Sequence, residues 1–153
     1  AAVARAVERC VRIKARVVEA DERESGLRMI LNFGHTLAHA IEAAKRYGGM
    51  LHGEAVAVGM VFAGILGESL GHTEPGTAAR LEALIKAYGL PSTVKALSPA
   101  RLLEAMGRDK KRGPKGLRWV FLSRIGETKV VENVRPKFVK ALLRSFLQGG
   151  GLS

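Results

Sequence analysis

The apolar positions of the chain recur in helical steps over most of its length. Val3, Val7, Cys10, Val11, Val17 and Val18 return every turn or two among Arg, Lys and Glu, which predicts a helix over residues 1 to about 20. A polar break at residues 21–25, closed by Gly26, ends it. A second helical pattern covers about 27–47 and stops at Gly48-Gly49. A third, about 54–70, is apolar nearly all round, as expected of a helix at the centre of a bundle. Gly53, Gly59, Gly64 and Gly67 suit close approach by its neighbours. Residues 77–88 form another amphipathic pattern, stopped by Gly89 and Pro91. Ser98-Pro99 is a helix-start signal for a short helix to about Gly107. Residues 108–116 (RDKKRGPKG) read as a basic loop. The period then shortens. Residues 117–122 and 129–134 read as strands joined through Ile125-Gly126-Glu127. Pro136 leads into a last helix to about Leu147.

The predicted class is mainly α: a helical bundle with a small C-terminal β-hairpin. Its 153 residues suit one domain, expected over 1–148, with 149–153 as a flexible tail. A hydrophobic share of 47% excludes disorder. The longest uncharged apolar run, residues 55–67, falls short of the roughly 20 that a membrane span needs, so no membrane partner is expected. The one cysteine, Cys10, cannot form an internal disulfide and fits a reducing, cytoplasmic setting. Its place in the apolar stripe predicts a small core residue. The chain opens in what reads as mid-helix at Ala1, from which we expect a further N-terminal segment in the full protein.

The formal charge of +11, from 25 basic and 14 acidic residues, attracts anions: nucleic acid, phosphorylated metabolites or an acidic partner. The basic residues are scattered among acids and stacking aromatics are few, so a nucleic-acid partner is not expected. Arg28, Asn32, His35 and His39 follow one another at steps of 4, 3 and 4, which would put them on one face of an α-helix. Glu24 lies one turn earlier. A solvated face is usually Lys and Glu, so this row reads as a site. Histidines one turn apart can share a metal, or one can bind metal while the other moves a proton. His52 follows His35 by 52 − 35 = 17 residues, and an antiparallel helix pair would bring it back. Two or three imidazoles leave a catalytic metal site incomplete. The missing ligand would be Glu54, Glu24 or a residue outside this chain. The basic run at 108–112, with Arg28 and Lys14, suits a phosphate or carboxylate. His72 is expected at the surface and Trp119 in the core. No Gly-rich turn follows a strand, so no NAD site is expected in this chain.

The strings DERESGLRMILNFGHTLAHAIEA, YGGMLHGEAVAVGM and RDKKRGPKGLRWVFLSRIG resemble, in order, the C-terminal domain of 3-dehydroquinate synthase. The resemblance implies a two-domain α/β enzyme whose N-terminal NAD-binding domain is absent from this chain. It implies conversion of 3-deoxy-D-arabino-heptulosonate 7-phosphate to 3-dehydroquinate in the shikimate pathway, with transient use of NAD and a divalent metal, zinc or cobalt. By motif, His35 and His52 correspond to metal ligands and His39 to a substrate-binding, proton-transferring histidine. Glu24 corresponds to a proton acceptor. Lys14, Arg28, Asn32 and one of Lys110 and Lys111 correspond to positions that bind the phosphorylated sugar acid. The family's GHTxGHA carries Ala38 here in place of its second glycine. Another sugar-phosphate cyclase of the same group is the alternative reading. The apolar third helix and the hairpin are candidates for a homodimer interface, and the chain alone is expected to be inactive.

Overall fold

The computed structural model describes residues 2–23, 26–45, 49–110 and 118–149. Its contacts divide the chain into two units, Ala1–Asn32 and Phe33–Ser153. The first unit is a helix, α1 (Ala2–Ala20), packed on a short 3-10 helix (Leu27–Asn32). Only Val17 of α1 is buried, and Met29 is the buried residue of the 3-10 helix. Val18 is half-buried beside it, and the earlier part of the predicted apolar stripe lies in water: Val3, Val7 and Val11 are 64%, 57% and 61% exposed. Cys10 is exposed with them, which corrects the expectation of a core cysteine. The helical period was sound, but the packing of α1 on the 3-10 helix covers only the end near Val17.

The connection is organised by Asp21, buried beyond the end of α1. Its Oδ2 accepts from the backbone N–H groups of Gly26 and Arg28, each at 2.9 Å. These donors lie at the start of the 3-10 helix, where no helical carbonyl precedes them. One buried carboxylate thus closes the turn that the sequence showed only as a polar break.

The second unit contains α2 (His35–Ala44), α3 (His52–Ser69), α4 (Thr77–Ala87), α5 (Pro99–Lys110), strands β1 (Arg118–Arg124) and β2 (Glu127–Glu132), and α6 (Pro136–Leu147). As predicted, α3 is the central element, with α2, α4, β1 and α6 packed around it. Val58, Val61, Phe62 and Leu66 of α3 are among the most buried side chains. Trp119 and Phe121 of β1 enter the same core, as does Phe146 of α6. The strands pair antiparallel, Trp119 opposite Val131 and Phe121 opposite Lys129. Gly126 turns the hairpin at φ 90°.

Three boundaries differ from the sequence reading. The second helical pattern is not one helix: a 3-10 segment ends at Asn32, and α2 begins at His35 after Gly34, whose φ is 83°. A left-handed residue cannot continue an α-helix, and the row of four polar residues therefore does not share one helical face. Helix α5 continues to Lys110, so residues 108–110, expected in a basic loop, are helical. Residues 111–116 of that expected loop and Leu117 of the expected first strand lie outside the described residues, as does the tail beyond Gly149. Finally, α3 starts at His52 itself.

The α2–α3 contact depends on two glycines. A Cβ on Gly59 would collide with the carbonyl oxygen of Gly34 and stand 3.3 Å from the Ala38 amide nitrogen. A Cβ on Gly34 would meet the Met60 nitrogen at 2.7 Å. The backbones therefore touch at the residue before His35, two helical turns into α3 from His52.

Candidate metal and substrate site

His35 and His39 are one turn apart on α2, and His52 is the first residue of α3. The close packing of the two helices brings all three rings together. Ring centroids are 5.5 Å apart for His35 and His39, 5.4 Å for His35 and His52, and 6.5 Å for His39 and His52. His39 and His52 are exposed, whereas His35 is half-buried. The cluster faces outward, where a small molecule or a further protein segment can reach it.

The outer nitrogens of two of these rings are already engaged. His35 Nδ1 lies 3.3 Å from the Phe33 carbonyl oxygen, and His52 Nδ1 lies 2.9 Å from Glu42 Oε1. A carbonyl oxygen accepts only, so His35 carries its hydrogen on Nδ1 and its lone pair on Nε2. Burial, first, and the neighbouring imidazoles His39 and His52 hold the His35 pKa below its ordinary value, against the opposing Phe33 hydrogen bond and Glu42 charge. That favours the neutral ring, the form that ligates metal.

Among the described residues no set of three or more His, Cys, Asp or Glu side chains converges as a complete metal cage. A pair of imidazoles with free Nε2 lone pairs is a partial donor set of the kind zinc and cobalt accept. Glu54, considered as a further ligand, is occupied otherwise: its Oε2 accepts from the Leu51 N–H at 2.8 Å and caps α3.

The other expected site residues fall elsewhere. Lys14 is exposed on α1, and Asn32 is exposed at the end of the 3-10 helix. Arg28 is half-buried; its N–H is held by Asp21, and its Nη1 donates to the Glu22 carbonyl oxygen at 3.3 Å. All three belong to the first unit, and the imidazoles to the second. Lys110 closes α5. Glu24 and Lys111 lie outside the described residues. His72, expected at the surface, is half-buried and stacks on Phe121 with centroids 5.6 Å apart. Burial, then the Lys129 charge, lowers its pKa. Trp119 is a core residue, as expected.

Sequence reasoning missed Asp21 and Glu42. For Glu42 a signal was present, since 42 − 35 = 7 and 42 − 39 = 3 continue the histidine face by another turn.

A sequence model of the 3-dehydroquinate synthase C-terminal family matches residues 1–112, most of the chain. The chain belongs to that family. Solved relatives of the dehydroquinate synthase group have the same fold. A 2-deoxy-scyllo-inosose synthase, solved with carbaglucose-6-phosphate, NAD+ and Co2+, is 27% identical, with a TM-score of 0.78 over 90% of this chain. Another structure of 2-deoxy-scyllo-inosose synthase gives 26% identity and a TM-score of 0.74. The 2-epi-5-epi-valiolone synthase from Streptomyces hygroscopicus subsp. jinggangensis, solved with NAD+ and Zn2+, is 22% identical with a TM-score of 0.80, a likeness of fold. The dehydroquinate synthase-like chain spans about two-fifths of these proteins: 40%, 38% and 39% respectively.

Proposed function

We propose that this chain is the metal- and substrate-binding part of a sugar-phosphate cyclase, and that the reaction is that of 3-dehydroquinate synthase. The observation that carries the reading is the cluster of His35, His39 and His52, drawn to within 6.5 Å by α2 and α3 inside the family's own motifs. The substrate would be 3-deoxy-D-arabino-heptulosonate 7-phosphate, and the products 3-dehydroquinate and phosphate, in the shikimate pathway.

In this reading His35 and His52 hold a divalent metal through Nε2, and a third ligand comes from another part of the full-length protein. The metal, zinc or cobalt, would supply polarisation of the hydroxyl being oxidised. His39, exposed beside the pair, contacts substrate and moves a proton. Glu24 accepts a proton. Lys14, Arg28, Asn32 and one of Lys110 and Lys111 hold the carboxylate and phosphate, for which fixed cationic donors are suited. NAD would be bound by the part of the enzyme outside this chain. Part of the +11 charge is then accounted for by an anionic sugar acid.

Calorimetric titration with zinc tests the metal site. Binding that is abolished by His35→Ala and by His52→Ala supports it, and binding indifferent to both removes it. A second reading within the same group is supported by the resemblance to 2-deoxy-scyllo-inosose synthases at 27% and 26% identity. The two separate on the ligand's charge: 3-deoxy-D-arabino-heptulosonate 7-phosphate carries a carboxylate, and the carbaglucose-6-phosphate bound in the synthase structure does not. Full-length enzyme that releases phosphate from the first alone is a dehydroquinate synthase.

A further inference from the structure

Glu42 has no role in the reading above, yet it touches the histidine cluster. It lies on the α2 face that carries His35 and His39, and its Oε1 is 2.9 Å from His52 Nδ1. Its side chain is 17% exposed, whereas that of His52 is 57% exposed. A mostly buried anchor therefore holds a mostly exposed ring. A carboxylate oxygen only accepts, so this contact puts the hydrogen of neutral His52 on Nδ1 and leaves the lone pair on Nε2. The Phe33 carbonyl oxygen does the same for His35. Two rings 5.4 Å apart are thus fixed in the same tautomer by two unrelated acceptors.

We propose that Glu42 is a positioning residue: it locks the His52 ring in the Nδ1–H tautomer and presents Nε2, beside that of His35, to a divalent metal. The inference rests on the metal-site reading of His35 and His52. Without Glu42, an exposed histidine at the first position of a helix would sample several rotamers and both tautomers, and each alternative subtracts from the population able to bind. Carboxylates behind metal-bound histidines characteristically change affinity by about 10–100-fold. The bland alternative is that Glu42 only ties α2 to the start of α3.

The experiment uses the 153-residue chain with zinc as the probe, at one fixed pH. Zinc affinity is measured by calorimetry for the wild type, Glu42→Ala, Glu42→Gln, His35→Ala and His52→Ala. Thermal stability and the nitrogen-15 shifts of the His52 ring are recorded without metal. We expect Glu42→Ala to lose about 10–100-fold in affinity and to lose the Nδ1–H preference of His52. Glu42→Gln keeps an accepting oxygen and should recover part of both. Glu42→Ala with a lowered melting temperature but unchanged affinity and tautomer would overturn the proposal and leave a structural tie. If His35→Ala and His52→Ala abolish binding while Glu42→Ala does not, the Glu42 inference alone fails. If the wild-type chain does not bind zinc, its own donors do not make the site and this inference is overturned; if zinc binds but no histidine substitution matters, the metal reading fails as well.

Discussion

Asp21 shows how much of a site can hang on a residue that touches no ligand. Its carboxylate takes up the N–H groups of Gly26 and Arg28, and so fixes the backbone that carries a proposed substrate-binding arginine. Asp21→Ala strands both donors, and a buried donor without a partner costs about 1–3 kcal/mol. The expected result is faster hydrogen exchange at the Gly26 and Arg28 amides. His72 makes a different prediction. Burial against Phe121, then the Lys129 ammonium, depresses its pKa, so the folded chain takes up this proton less readily than the unfolded one. Its contribution to stability is present above the ordinary histidine pKa and is lost as the pH falls through that range. Lys129→Ala removes the smaller cause, and an NMR titration should find the His72 pKa raised towards its ordinary value. Neither residue's setting was legible in the chain as written: Asp21 reads only as part of a polar break, and His72 is expected at the surface. Histidines stand out by type, and His35, His39 and His52 could be singled out from spacing and motif. Asp21 and Glu42 look like ordinary surface acids until a partner from another segment gives them a role.

The helices and the hairpin were legible because their hydrophobic periods are strong. Helix α3 needed nothing but its apolar run, and β1 and β2 showed themselves as short runs rich in β-branched and aromatic residues on either side of Gly126. The break at Phe33-Gly34 was invisible, because a 3.6-residue count does not register a positive φ. It matters, since it separates the proposed substrate residues Arg28 and Asn32 from the helix that bears His35. Glycine at 59 was legible as permissive, but what it permits, the touch of the Gly34 carbonyl, needed the fold. Gly59→Ala should therefore be destabilising, although alanine is favoured over glycine in a helix by up to about 1 kcal/mol. Its Cβ would force α2 away from α3, and zinc affinity should fall along with the melting temperature. By contrast, Phe62→Ala in the middle of α3 should cost about 3–5 kcal/mol through the cavity it leaves. It lies away from the histidine end of the helix, so zinc affinity of the remaining folded protein should hold.

In the proposed reading the chain supplies metal- and anion-binding groups, and among the described residues its strands form a two-stranded antiparallel hairpin, not the parallel strand–turn–helix unit that holds a dinucleotide. It spans about two-fifths of its solved relatives, 40% of one and 38% of another. We expect the 153-residue chain, given zinc, NAD and 3-deoxy-D-arabino-heptulosonate 7-phosphate, to release no phosphate above background in a colorimetric assay. Turnover by the chain alone would mean that the nicotinamide site is contained in it after all.

Helix α1 has one more use. Cys10 is the chain's single cysteine, and it projects into water from a regular helix. An accessible thiol can be alkylated by a maleimide dye or a nitroxide without engineering the sequence. Natural placement has therefore supplied one unique attachment point in the first unit, the unit that also carries Lys14, Arg28 and Asn32. The thiol is thus a native reporter handle on the unit that carries three of the proposed anion-binding residues.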